Sequence, residues 1–581
     1  MKRWLAFYIA SGTTLLAAGC AGHAATPLPG AAGGAPQQRV TAHFRIVVPS
    51  VKGHPRRRAR GFEHQHFISA SAQGVTLTVF PHGQRTGALA SIAVNISSGS
   101  PSCTGSGNSR NCNAGVSLVP GGPYDFVATI YDGVPSGNTP TGKQLGIGVT
   151  TQSVTIGKAN DISVAVSGIV NSLSFSLPNA TLASAITPVT RTATVSALDA
   201  DGNTIATDSY IDATGNPLTI SLAHDSNGGT AVTLTPASFS SPVPAGIAVA
   251  YIPINVPQTQ LTNGFNTRLQ ASATGLTPAA ATLIVPAVQI QQYSAQTSDG
   301  PRGIVSGPGN QLWVANASGT TLGTVGTGGS QGTYTNVGSL SGSPHVVTVG
   351  SDGAVWFTEP STNKIGRQDP NNLGTTNEYG TGITASAFPE GITSGPDGAL
   401  WFAEFCAGKI GRSDTLGNIT EKPLPSSTSE PDQIVSGPDG NLWFTEYNAA
   451  SIGRMTTTGT VSEFTVTAAS DPAGITVGPD GALWFTEFLG NRIGRMTTSG
   501  TLTAEYSIPT SNTDAFGIAV GPDGGIWFTE VFKNQIGRVT TNGTFAEFAV
   551  PNGYAPQLIT LGPDGALWFT SLGGNVVDRV Y

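Results

Sequence analysis

Residues 437–446 read GPDGNLWFTE, and this phrase decides the fold. It returns as GPDGALWFAE at 395–404, GPDGALWFTE at 478–487 and GPDGGIWFTE at 521–530. Weaker copies are GPGNQLWVAN at 307–316, GSDGAVWFTE at 350–359 and GPDGALWFTS at 562–571. Trp313, Trp356, Trp401, Trp443, Trp484, Trp527 and Trp568 follow one another at intervals of 43, 45, 42, 41, 43 and 41 residues. A period of about 40–45 residues built of short strands predicts a β-propeller. Seven copies over 288–581 predict seven blades.

Each copy parses into four strands. A GITSG-like inner strand leads into an Asp-Gly hairpin turn. LWFTE is the second strand, xxIGR the third, and xEF or xEY the outer one. The Glu of WFTE and the Arg of IGR recur eight residues apart, as Glu359/Arg367, Glu404/Arg412, Glu446/Arg454, Glu487/Arg495 and Glu530/Arg538. That spacing predicts a structural cross-strand ion pair. The last copy ends at Tyr581 without an outer strand, and IQQYSA at 290–295 has the rhythm of the missing one. The two ends of the repeat region are therefore expected to close the ring, which leaves no open sheet edge.

The whole chain of 581 residues is too long for one core, so two to four domains are expected. Only 10% of residues are charged, while 76 are Gly and 39 Pro, a composition of strands and turns. A net charge of −7 argues against a nucleic-acid partner. Lys2 and Arg3 precede an apolar run from Trp4 to Ala18, which marks an export signal. The run ends in LLAAGC and resembles a bacterial lipobox, which implies a lipoprotein-type signal over 1–20 cleaved before Cys20, with Cys20 as the lipidated first residue on a membrane facing the periplasm or exterior. Cleavage near Ala24-Ala25, with free secretion, is the alternative.

Residues 21–66 are expected to be a flexible linker interrupted by one short apolar strand, AHFRIVV at 42–48, and the basic run from Lys52 to Arg60 and the nearby His64 and His66 read as solvated groups. Alternating short strands over 67–168 and again over 169–287 predict two β-sandwiches. Both resemble bacterial immunoglobulin-like modules, which implies a spacer or adhesion role. Asp199 to Gly202 reads as a hairpin turn rather than a calcium loop. Cys103 and Cys112 are the natural disulfide pair of an exported chain, and Cys406 is expected to be a lone buried or half-buried thiol.

The repeat P-x-G-I, GPDGALWFTE, N-x-IGR is very similar to that of the streptogramin lyases, the virginiamycin B lyase-like propellers. The resemblance covers residues 288–581. It implies a seven-bladed propeller and magnesium-dependent elimination that opens a cyclic depsipeptide by breaking a C–O bond. It also implies where the chemistry should lie: a His in Pro-His-x-Ile at the start of blades six and seven, a metal-binding Glu two residues before the second His, and a Glu after the last WF motif. Those positions hold Phe516, Gln557, Ala555 and Leu572 here, and the first-blade position, a Tyr in the lyases, holds Arg302. Phe has no exchangeable proton and a Gln amide is not a base. The fold carries over; the lyase machinery does not.

The same ring position, read round the seven copies, holds Arg302, His345, Glu390, Asp432, Ala473, Phe516 and Gln557. Variation beside inner strands of repeated sequence predicts a ligand-binding mouth. Arg302, His345, Glu390, Asp432, Phe516 and Gln557 are the candidate ligand residues. His345 and Glu390 are the candidates for any catalysis, and Glu390, Asp432 and Glu430 for any metal, with magnesium suggested by the resemblance alone. The leading expectation is an exported, monomeric module binding a small molecule, peptide or glycan. A metal-dependent lyase of cyclic depsipeptides and a structural or adhesion protein of the envelope are the alternatives.

Overall fold

A computed structural model describes residues 38–48 and 72–581, apart from 98, 105–109, 157, 163, 165–166, 206–209, 215, 241–245, 296–299 and 328–333. Cys20, His64, His66 and the basic run lie outside the described residues. The described chain is all-β with one short helix, Gln258–Asn263, and four single 3-10 turns.

The first β unit has two sheets. One is built on Gly74–Pro81, Gly121–Tyr131 and Gln144–Val154, and the other on Val40–Val48 and Arg110–Leu118. Val40–Val48 falls in the region read as linker, yet it runs antiparallel to Arg110–Leu118 over its whole length. The apolar run at 42–48, read as a short strand, is that strand, and what the sequence did not show is its partner, which lies some seventy residues on. Cys103 and Cys112 face each other across a strand pair and are bonded. The second unit pairs Val189–Leu198 with Ser172–Ser176 and Ile247–Tyr251 in one sheet, and Ile220–His224 with Phe265–Ser272 and Ala279–Val285 in the other. Asp199 takes the backbone N–H groups of Asp201 and Asn203, each at 2.9 Å, so it forms a hairpin turn.

The C-terminal half forms seven four-stranded sheets. The inner strands begin at Pro301, Val347, Pro389, Pro431, Pro472, Ala515 and Pro556, and each lies beside the next. Pro301–Gly307 also lies beside Pro556–Leu561, so the circle closes as a β-propeller. Ile290–Ser294 pairs antiparallel with Val576–Val580 and supplies the outer strand of the last sheet. The N-terminal end of the propeller thereby completes its C-terminal sheet.

The repeated phrase is a packing device. Its Asp accepts the indole N–H of the Trp four residues on, as in Asp397–Trp401 at 2.9 Å and Asp480–Trp484 at 3.1 Å. The first copy lacks the Asp, and Trp313 donates to the Pro308 carbonyl at 3.3 Å instead. All seven indoles are buried. The Gly of IGR is sterically required: a Cβ on Gly411 would lie 2.1 Å from the Phe402 ring.

The expected Glu–Arg pairing is not formed. Register sets Trp401 opposite Arg412 and Glu404 opposite Lys409, and the other full copies match. The IGR arginine therefore binds the turn Asp, at 2.7 Å for Arg367–Asp352 and Arg495–Asp480 and 2.8 Å for Arg412–Asp397 and Arg579–Asp564. Arg454 instead lies over Trp443 and Phe464, 5.6 and 5.4 Å from the ring centres. Spacing alone suggested a pair that the register separates.

Candidate functional site: the propeller mouth

Two local devices aim side chains at the mouth. The inner strands starting at Pro301, Pro389, Pro431, Pro472, Ala515 and Pro556 each carry a register shift right after that first residue. A bulge of this kind re-aims the side chain it contains, and here that is the ring residue. The Thr of WFTE then fixes the ring residue of the next blade by donating to its carbonyl. Thr358 reaches Glu390 at 2.8 Å, Thr445 reaches Ala473 at 2.7 Å, Thr486 reaches Phe516 at 2.8 Å and Thr570 reaches Arg302 at 2.5 Å.

The second device lies one step outward. Phe388, Glu430, Asp471, Asp514 and Ala555 all have φ between 48° and 56°, the left-handed region. Their carbonyls accept the N–H of the residue that follows the WF motif, for example Tyr447 to Glu430 and Phe488 to Asp471, both at 3.0 Å. Non-glycine residues in this region are uncommon and cluster at functional sites. In three consecutive blades the residue so held is aromatic: Phe405, Tyr447 and Phe488.

The result is a cavity of about 270 Å³ lined by Arg302, Phe388, Glu390, Phe405, Asp432, Tyr447, Phe488 and Phe516. The rings form a chain, with centres 6.3 Å apart for Phe405–Tyr447, 6.2 Å for Tyr447–Phe488 and 6.5 Å for Phe488–Phe516. The Arg302 guanidinium sits over Phe516 at 5.8 Å and ends the row.

The polar side of the cavity is a tight cluster. Arg302 reaches Glu390 Oε1 and Oε2, each at 3.4 Å. His345 Nδ1 is 3.1 Å from Glu390 Oε1 and also contacts Arg302 Nη1. Nδ1 can accept from Arg302 or donate to Glu390, but not both at once. Burial is the strongest influence on the Glu390 carboxyl and pushes it up, yet Arg302 and His345 together outweigh it and hold the group below its ordinary value. Asp432 is 6% exposed, and its carboxyl is pushed up to about 7 by burial and then by Glu390, with Arg302 opposing. Its hydrogen bond is from Gln433 Nε2, at 3.2 Å.

Four of the six candidate ligand residues, Arg302, Glu390, Asp432 and Phe516, thus line one cavity, and His345 stands behind it, its ring 6.1 Å from that of Phe388. Gln557 turns its amide to the Ala555 carbonyl at 3.2 Å and is not among the lining residues. Glu430 belongs to the outer left-handed ring. Cys406 is exposed, which corrects the expectation of a buried thiol: it stands in the turn after WFAE rather than on a strand. The wall residues Phe388, Phe405, Tyr447 and Phe488 were missed by sequence reasoning. A signal was available for three of them, since Phe405, Tyr447 and Phe488 follow the WF motif in three copies running.

The residues present do not fit a magnesium ion. A guanidinium already stands against Glu390, and Ala555 and Leu572 bring no carboxylate. Among the described residues no three His, Cys, Asp or Glu converge as metal ligands.

These features sit on a scaffold shared with known proteins. The model of the virginiamycin B lyase family matches residues 288–510 and 502–581. The chain belongs to that family. It is similar to the crystal structure of virginiamycin B lyase from Staphylococcus aureus, with 36% identity over 50% of this chain and 99% of that one, at a TM-score of 0.47. A streptogramin B lyase structure matches at 36% identity over 51% and 97%, with the same TM-score. A catalytically inactive histidine-to-alanine variant of the Staphylococcus aureus enzyme, crystallised with quinupristin, matches at 36% over 50% and 99%, also at 0.47. Comparison with curated protein sequences finds no match.

Proposed function

We propose that this chain is an exported ligand-binding member of the virginiamycin B lyase family whose seven-bladed propeller has exchanged elimination chemistry for recognition. The observation that carries this reading is the mouth cavity. Its wall is a row of aromatic rings, and Phe516 stands in that row where the family resemblance calls for a histidine. Elimination needs a base that cycles near neutral pH, and at the two positions where the family resemblance calls for histidine, Phe516 and Gln557 provide none. In this reading the two N-terminal β units are immunoglobulin-like spacers, and a lipid on Cys20 holds the chain at the envelope. The ligand is a small molecule, a peptide or a glycan.

The test is incubation of the purified chain with a streptogramin B antibiotic and magnesium, followed by chromatography and tandem mass spectrometry. Elimination opens the ring without changing the mass, so retention time and fragmentation are the readout. The antibiotic is expected to keep both. A linear product would overturn the reading.

A further inference from the structure

We propose that the mouth cavity receives an alkylammonium group, with Asp432 as its counter-charge and Phe405, Tyr447, Phe488 and Phe516 as its wall. This rests on the reading above that the mouth is the ligand site, and it names the chemistry of the ligand.

The first support is charge matching. Two carboxyl groups, Glu390 and Asp432, are buried in the cavity wall, and one guanidinium, Arg302, faces them. Arg302 is committed, since it contacts both Glu390 oxygens and lies over Phe516. The bond to Asp432 is from a neutral amide. A buried carboxylate without a cation is costly, and burial and then Glu390 push the Asp432 carboxyl up to about 7. An ammonium group in the cavity would supply the missing charge.

The second support is the wall. Aromatic faces attract desolvated cations, and rows of rings around a carboxylate are how proteins hold quaternary and alkylated ammonium groups. The four rings run side by side from Phe405 to Phe516, and Arg302 at their end already uses Phe516 in this way. Beyond the wall, Glu430, Asp471 and Asp514 stand in the left-handed ring. Burial and then Asp471, Asp432, Asp514 and Glu430 raise the Tyr447 phenol, so four carboxyl groups act on one wall residue. Such a field draws cations in and repels anions. A neutral apolar ligand would fill the rings and leave Asp432 unmatched.

The groups acting on Asp432 are Glu390, Arg302 and the Gln433 amide, and Asp432 in turn acts on the Tyr447 phenol. Binding a cation should keep Asp432 ionised, so uptake should release a proton near pH 6 and weaken as pH falls further.

The test uses the full chain and three probes in calorimetry: choline, its neutral isostere 3,3-dimethylbutan-1-ol, and Nα-acetyl-lysine amide. Choline or the lysine derivative should bind about tenfold or more tightly than the alcohol, and whichever is stronger shows whether a free alkylammonium or a peptide side chain is the natural form. Asp432→Asn, which keeps shape and fold, should erase that preference and leave the alcohol within about twofold, with an unchanged melting temperature as the folding control. Equal binding of choline and the alcohol, or a preference that survives Asp432→Asn, would overturn the cation inference and leave the mouth as a ligand site. Absence of binding by all three probes would also overturn it. Linearised antibiotic in the earlier assay would instead remove the proposed function, so the two failures are separable.

Discussion

The buried glutamates of the repeat make the propeller's stability depend on pH, and Glu404→Gln isolates the effect. Glu404 is fully buried, and neither of its oxygens receives a hydrogen bond. Its neighbour Glu421 takes Lys409 Nζ at 2.6 Å and Thr384 Oγ1 at 2.8 Å, and these partners together outweigh burial, the strongest single influence, to hold it below its ordinary value. Glu404, pushed to about 9 by burial and then by Glu421, keeps the proton. In the unfolded chain the same group ionises near 4.5. The sign follows: from pH 5 to 8 the unfolded state has lost a proton that the folded state still holds, so stability falls as pH rises. The loss is about 1.4 kcal/mol per pH unit, on the order of 4 kcal/mol over that span. A glutamine in this place would be neutral at every pH, and its amide can donate to Glu421 as the protonated acid does. The variant should match the wild type near pH 5 and exceed it by about 4 kcal/mol at pH 8. Denaturant unfolding followed by tryptophan fluorescence reads the propeller, since seven of the eight tryptophans lie there. Glu359, Glu446, Glu487 and Glu530 are raised in the same way, to about 7, 8, 7 and 8, and steepen the wild-type slope. Parallel pH slopes for variant and wild type would refute the reasoning.

Two further substitutions probe the frame that holds the mouth. Asp480→Ala leaves the buried Trp484 N–H without its acceptor and Arg495 without its anion, and should cost about 2–3 kcal/mol in the same unfolding assay, with Asp480→Asn milder. Arg538 is almost fully buried, pairs with Asp523, and donates to the Pro253 and Ile254 carbonyls of the second β unit, at 3.2 and 2.8 Å. Arg538→Ala strands Asp523 and should lower propeller stability by about 3–5 kcal/mol. It should also split a joint calorimetric transition into two and expose 253–263 to limited proteolysis.

Much of the propeller was legible because its signal repeats. The Trp beat placed the sheets, and the absence of an outer strand after Asp578 pointed to 290–295 as its replacement, which the pairing of Ile290 with Val580 bears out. What spacing could not reveal was register. Glu404 and Arg412 sit on facing strands, but the pleat puts Arg412 across from Trp401, so Glu404 was assigned the wrong partner. The strand at Val40–Val48 was legible as an apolar run, but its partner was hidden for a related reason: strand pairing distant in sequence leaves no local mark. The ring position was visible as disagreement among otherwise similar copies. The aromatic wall escaped because Phe405, Tyr447 and Phe488 lie just past the strands, in residues read as turn, even though an aromatic recurs there in three copies running.

The separation of frame from mouth also explains how a family scaffold can keep its shape while its chemistry changes. Five of the seven ring residues, Arg302, Glu390, Ala473, Phe516 and Gln557, are held through backbone atoms: a bulge sets the direction, and a threonine of the preceding blade binds the carbonyl. Neither contact depends on the side chain. Arg, Glu, Ala, Phe or Gln can therefore occupy the same place without disturbing the blade, and Ala473 and Phe516 do so on adjacent strands. Buried charge is the remaining constraint, because the Glu390 and Asp432 side chains are themselves buried in the wall of the mouth. Arg302 and Glu390 satisfy it together from different blades. Asp432 does not: its carboxyl is pushed up to about 7, and a cation held against the facing row of aromatic rings would keep it ionised. Exchanging Arg302 for a neutral residue should then convert the cluster, leaving Glu390 as well as Asp432 without a cation. Arg302→Gln should raise both carboxyl groups, lower stability at pH 8 more than at pH 5, and have the excess loss reversed by saturating choline. Loss that choline does not reverse would show that Arg302 serves the fold rather than the charge balance of the mouth.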